Sequence, residues 1–517
     1  MVTIFKGLVW SSLIPLWEFP DEQAHFAQIQ FLAEKGRSQS YSSKTGFEND
    51  LSQEILSSEK IMGTERDENG VNKITYHPDF RVAYSDSYMG LREKEMESAS
   101  TQERQKMVKQ ESTYYPPLYY FSGSLIYRVF YETGLLSRVF LVRITQLIFI
   151  IFTVYLSYLI SKIVFPKEEI IQLVIPTLVS FHPMFTFVSS GINSDNIMNF
   201  LFTLVTYLIL RLFNSRYNIR LFISLGIIIG LGFLSRPNFI LVAGIATLFV
   251  LIKLILVKDF KRSIKSLFIY IFATIISGGW WLIIPLFTSS HFSLDIGRVN
   301  YTYTPPTFAQ HFSDTMKKII AETIPWYWGV FKWLGVVLPR IVGKILMRFL
   351  VLAGLGMVLY LIQKIKSKKI DKELINLSIL GILFFTYSGG IIFFDYIYKL
   401  TRGYSLGIQG RYFFPPITAE MIILTVGLTA FFPKKLVKAR NLFIKTLGSG
   451  MIVLNGIALH TVISSYYDLL PFSKFITQAS QYKPWFLKGN FLSLIFLFYF
   501  SFLLLFIYRM VKFKKTV

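Results

Sequence analysis

The chain has 517 residues, 53% of them hydrophobic and 17% aromatic, with a mean hydropathy of +0.47 and a formal charge of +23. That apolar fraction excludes an ordinary soluble globular protein and marks an integral membrane protein. The absence of cysteine excludes disulfide and thiolate chemistry, and the positive charge, gathered in alternate connections between apolar runs, forms no nucleic-acid-binding patch.

A chain crossing roughly 30 Å of hydrocarbon must pair its backbone polar groups internally, so a run of about 20 apolar residues reads as a helix. Such runs lie near 4–19, 139–165, 170–190, 197–213, 219–234, 238–257, 267–287, 341–363, 374–398, 413–432, 443–464 and 491–508. They predict an all-α polytopic membrane protein of about twelve transmembrane helices, without the alternating strands of a membrane barrel. The first run is short, is interrupted by Lys6 and Pro15, and leads into Pro20-Asp21-Glu22 rather than a small-residue cleavage site. It reads as an uncleaved helix. Apart from Glu420, the helix interiors read as nearly free of charge.

Lys/Arg clusters at 211–220, 258–265, 364–372, 434–440 and 512–515 fall in alternate connections, so both termini are expected in the cytoplasm. Residues 20–117, with 17 of the 31 acids against 12 Lys/Arg, then lie outside. The chain divides into a first helix (1–19), a long outer connection (20–138), helices 2–7 (139–287), a second outer connection (288–340) and helices 8–12 (341–517). Long connections in compact proteins commonly carry function. The first opens with a helical pattern, 24–34, passes through a polar stretch, 38–75, and a charged helical one, 91–108, and returns at "STYYPPLYYF", 112–121. The second carries "IPWYWGVFKW", 324–333, read as an interfacial aromatic belt rather than a sugar-stacking surface.

On a helix starting after Pro20, Asp21, Glu22 and His25 share one face. They could ligate a divalent cation or supply a general base; acids in a first helical turn also serve as caps and complement the helix dipole. Asp195 in "SSGINSDNIMNF" stands at another outer helix end, where an N-cap is the competing role. Arg236 in "LSRPNF" and Arg411 in "IQGRYFFPP" occupy outer turns that orientation does not require to be basic, and their planar forks suit phosphate oxygens, though snorkelling to lipid phosphates is the alternative. Lys344 and Arg348 also break the positive-inside trend. Acids and arginines on one side of the membrane fit transfer of a group from a lipid phosphate.

"PLWEFPDEQAHFAQIQFLAEKG", "STYYPPLYYFSGSLIYR", "FHPMFTFVSSGINSDN", "PWYWGVFKWLGVVLP" and "GIQGRYFFPP", in this order, resemble a group of bacterial membrane proteins of the GT-C glycosyltransferase superfamily, over about residues 8 to 432. Protein O-mannosyltransferases and the aminoarabinose transferase of lipid A are its relatives. The resemblance implies a polytopic enzyme that takes a sugar from a polyprenyl-phosphate donor, using an acid at the start of the first outer loop, often with a divalent metal. It implies catalytic roles for Asp21, or its neighbour Glu22, and for Asp195, and donor-phosphate binding by Arg411; joined to the residue reading above, Arg236 is expected beside Arg411 on the phosphate and Mg²⁺ or Mn²⁺ on Asp21 and His25. It further implies a glycan or glycolipid acceptor outside the bacterial cytoplasmic membrane. Members of that group carry a fuller first helix, so Met1 is expected to fall inside it, and a large protein acceptor is not expected. The rivals are a flippase of lipid-linked saccharides and a polysaccharide polymerase or ligase.

Overall fold

The computed structural model describes all residues except 39–40, 43–45, 48, 66–83, 86–87, 110–115, 283–305, 368–370, 434 and 514–517. Each of the twelve apolar runs contains a helix among its described residues, but they are not equivalent. Among the described residues eight helices are long and apolar enough to cross a membrane: Leu135–Val164, Asp195–Asn214, Phe239–Val257, Phe260–Leu282, Arg340–Lys366, Lys372–Thr401, Val437–Ile463 and Gly489–Lys512. A ninth candidate is a pair, Glu169–Phe181 and Pro183–Ser189, bent by 60°. Val2–Leu13, Ile219–Phe233 and Ile417–Thr429 are apolar but only 12, 15 and 13 residues long, too short at about 1.5 Å per residue to cross the hydrocarbon alone. The expected count of twelve spans is therefore replaced by eight, or nine with the bent pair, plus three shorter helices.

The bend has a local cause. Pro183 cannot donate an amide hydrogen bond and cannot follow a continuous helix without displacing the preceding turn. The carbonyls it frees are met by side chains: Thr186 Oγ1 donates to the Ser180 carbonyl (3.0 Å) and Asn455 Nδ2 to that of Phe181 (3.1 Å). Lys6 is buried against the same site, its Nζ 2.9 Å from Thr186 Oγ1, and Trp10 Nε1 donates to Asn455 Oδ1 (3.2 Å). The helix interiors are thus more charged than the sequence suggested. Lys6, Arg138, Arg143 and Asp395 are all buried.

The helix ends sort into two sets. Asn214 Nδ2 donates to Asn376 Oδ1 (2.6 Å), Arg440 pairs with Glu168 (2.5 Å), and Lys445 Nζ donates to the Val511 carbonyl (2.9 Å). These contacts join ends that the charge alternation assigns to the cytoplasm. Ser98 and Ser313 belong to the opposite connections, and both are exposed, as is Ser367 on the cytoplasmic set. Single cysteines at Ser98 and Ser313 are expected to react with a membrane-impermeant maleimide on intact cells, and one at Ser367 only after lysis. The reverse pattern would invert the topology.

Within the first long connection, helix Glu22–Lys35 packs on Leu118–Val129, and Gly123 makes the approach close: a Cβ there would sit 2.5 Å from Ile29 Cδ1. The charged stretch expected as one helix over 91–108 is two, Leu91–Glu97 and Thr101–Gln105, followed by strand Met107–Lys109, which pairs with Leu51–Ser52. Ser100 and Glu103 form a capping box that starts the second helix afresh.

The aromatic-belt reading of 324–333 is corrected. Trp328 is buried and stacks on His182 at 4.8 Å between centroids, Tyr327 meets the same imidazole edge-on at 4.7 Å, and Trp333 Nε1 donates to the Trp17 carbonyl (3.1 Å). Tyr327 and Trp328 pack into the protein beside the bend at His182-Pro183, where their faces find aromatic partners.

Candidate active site

After Leu13 the chain turns through two left-handed residues, Trp17 (φ 63°) and Asp21 (φ 55°), before helix Glu22–Lys35 begins. Aspartate tolerates that conformation better than most side chains. Asp21 occupies the N-cap position, yet its side chain makes no capping hydrogen bond. Its Oδ2 instead accepts from Arg411 Nη2 at 2.7 Å, across 390 residues of sequence. The capping explanation for Asp21 does not describe this geometry.

Arg411 is presented by a short 3₁₀ turn, Gly410–Phe413. A Cβ on Gly410 would lie 2.3 Å from the Tyr327 amide nitrogen, so glycine is what lets this turn close on the Trp326-Tyr327 backbone. Thr323 Oγ1 donates to the Ile408 carbonyl (3.0 Å), and buried Asp395 accepts from Ser405 Oγ (2.7 and 2.9 Å) and from the Leu406 amide (2.8 Å). His311 Nε2 lies 3.2 Å from the same carboxylate. The loop before Arg411 is therefore fixed at three points. Burial works hardest against the Arg411 cation, but Asp21 and Tyr412 together outweigh it and hold the guanidinium pKa above its ordinary value. Arg411 Nε and Nη1 are buried and have no hydrogen-bond partner among the described residues.

A second acid–arginine pair stands beside the first. Asp195 is the first residue of helix Asp195–Asn214 and pairs with Arg236 Nη1. It is not the N-cap, which is Ser194. Asn193 ties the two acid-bearing segments together: its Oδ1 accepts from the Asp195 amide (2.8 Å) while its Nδ2 donates to the Pro20 carbonyl (3.1 Å). His25 lies between the pairs, with Nδ1 2.9 Å from Tyr120 Oη and the two rings stacked at 6.0 Å. Burial lowers its pKa to about 3, opposed by Asp21 and reinforced by Arg236 and Arg411, so the imidazole is neutral at physiological pH.

Glu22 takes a different place. It is fully buried, its carboxylate gripped by Arg143 through Nε (2.7 Å) and Nη2, and it also accepts from the Trp17 (3.2 Å) and Ile192 (3.3 Å) amides. Of the residues read from sequence, Asp21, His25, Arg411, Asp195 and Arg236 converge, Glu22 sits behind them, and Lys344 and Arg348 are exposed on helix Arg340–Lys366. Among the described residues no group of three or more His, Asp or Glu is gathered as metal ligands. Asp21 already faces Arg411, and His25 Nδ1 faces Tyr120.

Several neighbours were not anticipated. Arg143, the fifth residue of the apolar run 139–165, carried a signal, because a charge within a span demands a partner. Tyr327, whose hydroxyl donates to Glu420, and the Asp395–His311 pair carried none beyond their residue types.

The whole fold has distant likenesses among solved structures. ArnT from Cupriavidus metallidurans bound to undecaprenyl phosphate aligns at 11% identity and a TM-score of 0.44, over 97% of this chain and 75% of that one. Its apo form gives 10% and 0.44, over 92% and 75%. The archaeal oligosaccharyltransferase AglB from Archaeoglobus fulgidus, in complex with an inhibitory peptide and a dolichol-phosphate, gives 12% and 0.45, over 90% of this chain and 55% of that one. No curated protein matches the chain. Residues 4–418 match the family model described as predicted membrane protein (DUF2142), well over half of the chain, and the protein belongs to that family.

Proposed function

We propose that the chain is a GT-C-type membrane glycosyltransferase that moves a sugar from a polyprenyl-phosphate-type donor to a hydroxyl of an extracytoplasmic glycan or glycolipid, at the outer face of a bacterial cytoplasmic membrane with both termini inside. The observation that carries this reading is the Asp21–Arg411 pair, a partly exposed carboxylate against a buried guanidinium with unspent donors, at the junction of the first helix with the loop helix. A polyprenyl chain in the bilayer holds its phosphate at headgroup depth, and on this reading the junction stands at the same depth.

In the reaction, the acceptor oxygen attacks the anomeric carbon, and the bond from that carbon to the phosphate oxygen breaks with its electron pair staying on the phosphate. Asp21 takes the acceptor proton. The leaving phosphate gains a negative charge, which Arg411 stabilises, with Arg236 lending a second cation that Asp195 holds in place. His25, neutral and held by Tyr120, adds no charge beside the two pairs. Asp21 and His25 are the residues that would hold a Mg²⁺ or Mn²⁺ ion, which would supply positive charge beside the leaving phosphate; no step above depends on it. Loss of activity with chelator and recovery with Mg²⁺ or Mn²⁺ would restore the ion to the scheme.

The test uses purified protein and a panel of synthetic polyprenyl-phosphate hexoses and pentoses, with product read by mass spectrometry. Arg411→Ala is expected to raise the donor KM by about tenfold or more, the scale of lost hydrogen bonds to a charged group, and Arg411→Lys to recover only part of it because the fork is lost. Wild-type kinetics in Arg411→Ala would remove the donor-phosphate assignment. The bent pair at Pro183 favours a second reading, a flippase of lipid-linked saccharides, since broken helices line transporter sites. In detergent, without compartments, a flippase forms no glycosylated product; a polymerase or ligase would require a lipid-diphosphate donor.

A further inference from the structure

We propose that the Asp21–Arg411 ion pair is a latch opened by the donor's phosphate, so that the base is released only when the donor is bound. The inference rests on the donor-phosphate reading above and adds an order of events to it.

Three features of the pair support a latch rather than a permanent staple. The first is asymmetry of hydrogen bonding. Arg411 contacts Asp21 through Nη2 alone, while Nε and Nη1 are buried with no hydrogen-bond partner among the described residues. A guanidinium presents five N–H donors in a fixed fork suited to two oxygens of one anion. A phosphate engaging that fork competes with Asp21 for the same group. The second is asymmetry of burial. The Arg411 side chain is 7% exposed and that of Asp21 is 41% exposed. The arginine loop is fastened by Gly410 on Tyr327, by Thr323 and by Asp395, so when the pair opens it is the carboxylate that moves. The third is that the Asp21 side chain makes no capping hydrogen bond at the N-terminus of its helix, so opening the pair does not uncap the helix.

The neighbouring pair does not compete for this role. Arg236 is matched by Asp195, whose backbone is tied through Asn193 to Pro20. The latch makes Asp21 a poor base while Arg411 holds it and a freer one once the phosphate takes the arginine. Acceptor activation then follows donor binding.

The latch predicts that removing the Asp21 charge strengthens binding of a lipid phosphate, because the competitor for Arg411 is gone. Binding of farnesyl phosphate to the full chain in detergent micelles is measured by calorimetry for wild type, Asp21→Asn, Arg411→Ala and the double variant, with inorganic phosphate as the second probe. Asp21→Asn is expected to bind farnesyl phosphate about three- to tenfold more tightly than wild type, the range for a partly exposed ion pair. The double variant is expected to bind as weakly as Arg411→Ala. Inorganic phosphate should show the same ranking at lower affinity, the lipid chain supplying the difference.

Equal or weaker binding by Asp21→Asn overturns the latch while leaving the donor-phosphate reading intact, and weaker binding together with chelator sensitivity replaces the latch by a shared metal. Wild-type affinity in Arg411→Ala overturns the donor-phosphate reading, and the latch with it. If Asp21→Asn does not fold, Asp21→Gly removes the same charge and adopts the left-handed conformation of residue 21 without strain, and its affinity is read by the same criterion.

Discussion

Asp21→Asn is expected to insert and fold, with a somewhat lowered melting temperature, and to transfer sugar about a hundredfold more slowly or worse per folded molecule, the scale on which a general base contributes. The substitution is chosen to separate chemistry from structure. Asparagine is nearly the size of aspartate, tolerates the left-handed conformation found at Asp21, and is equally favoured at the start of a helix. What it removes is the negative charge and the capacity to take a proton. Asp21 is 41% exposed but Arg411 only 7%, so the substitution strands a buried guanidinium and is expected to lower the melting temperature, though by less than at a pair buried on both sides. Initial rates at saturating donor and acceptor, normalised to folded protein by gel filtration and a melting curve, read the effect. A folded Asp21→Asn that transfers at the wild-type rate would end the case for Asp21 as the base and return "PDEQAH" to a helix start.

How much of this was legible in the sequence differs between elements for physical reasons. The helices were legible because hydrocarbon leaves a spanning chain few choices, and the run 139–165 appears as Leu135–Val164 within a few residues. Their lengths were less so. The run 170–190 reads as one helix by hydropathy, but Pro183 and the side chains that meet its freed carbonyls, Thr186 and Asn455, break it in two. Asp21, Asp195, Arg236 and Arg411 could be singled out because polar groups at helix ends are easily recognised, and the charge alternation put them on one side. Which acid faces which arginine could not be read, since partners such as Asp21 and Arg411 lie far apart in sequence and nothing local encodes the pairing. Neighbouring acids looked interchangeable for the same reason. One left-handed residue at position 21 sends Asp21 and Glu22 in different directions, one toward a loop at 411 and the other toward a helix at 143.

That division makes Glu22→Gln the sharpest test of structure against chemistry, and the expected result is a folding defect. Glu22 and Arg143 are both completely buried. Arg143 also donates to the Ser11 (3.2 Å), Ile14 (2.9 Å) and Pro15 (2.8 Å) carbonyls, the acceptors left open where the first helix ends. The pair thus clamps the end of the first helix to the start of the loop helix and to helix Leu135–Val164, and the Trp17 and Ile192 amides complete the carboxylate's hydrogen bonds. Glutamine leaves a buried guanidinium without its counter-charge, and breaking such a pair from one side costs about 3–5 kcal/mol. The expected consequence is a large fall in folded yield and melting temperature, with near-normal turnover in the molecules that do fold. Replacing both partners, Glu22→Gln with Arg143→Met, removes the stranded charge, so the double variant should be more stable than the sum of the two single losses implies. A thermal-shift series on the four proteins measures that coupling. If Glu22→Gln melts like the wild type and still fails to transfer, the carboxylate takes part in the chemistry, and the separation of Asp21 as base from Glu22 as clamp is wrong.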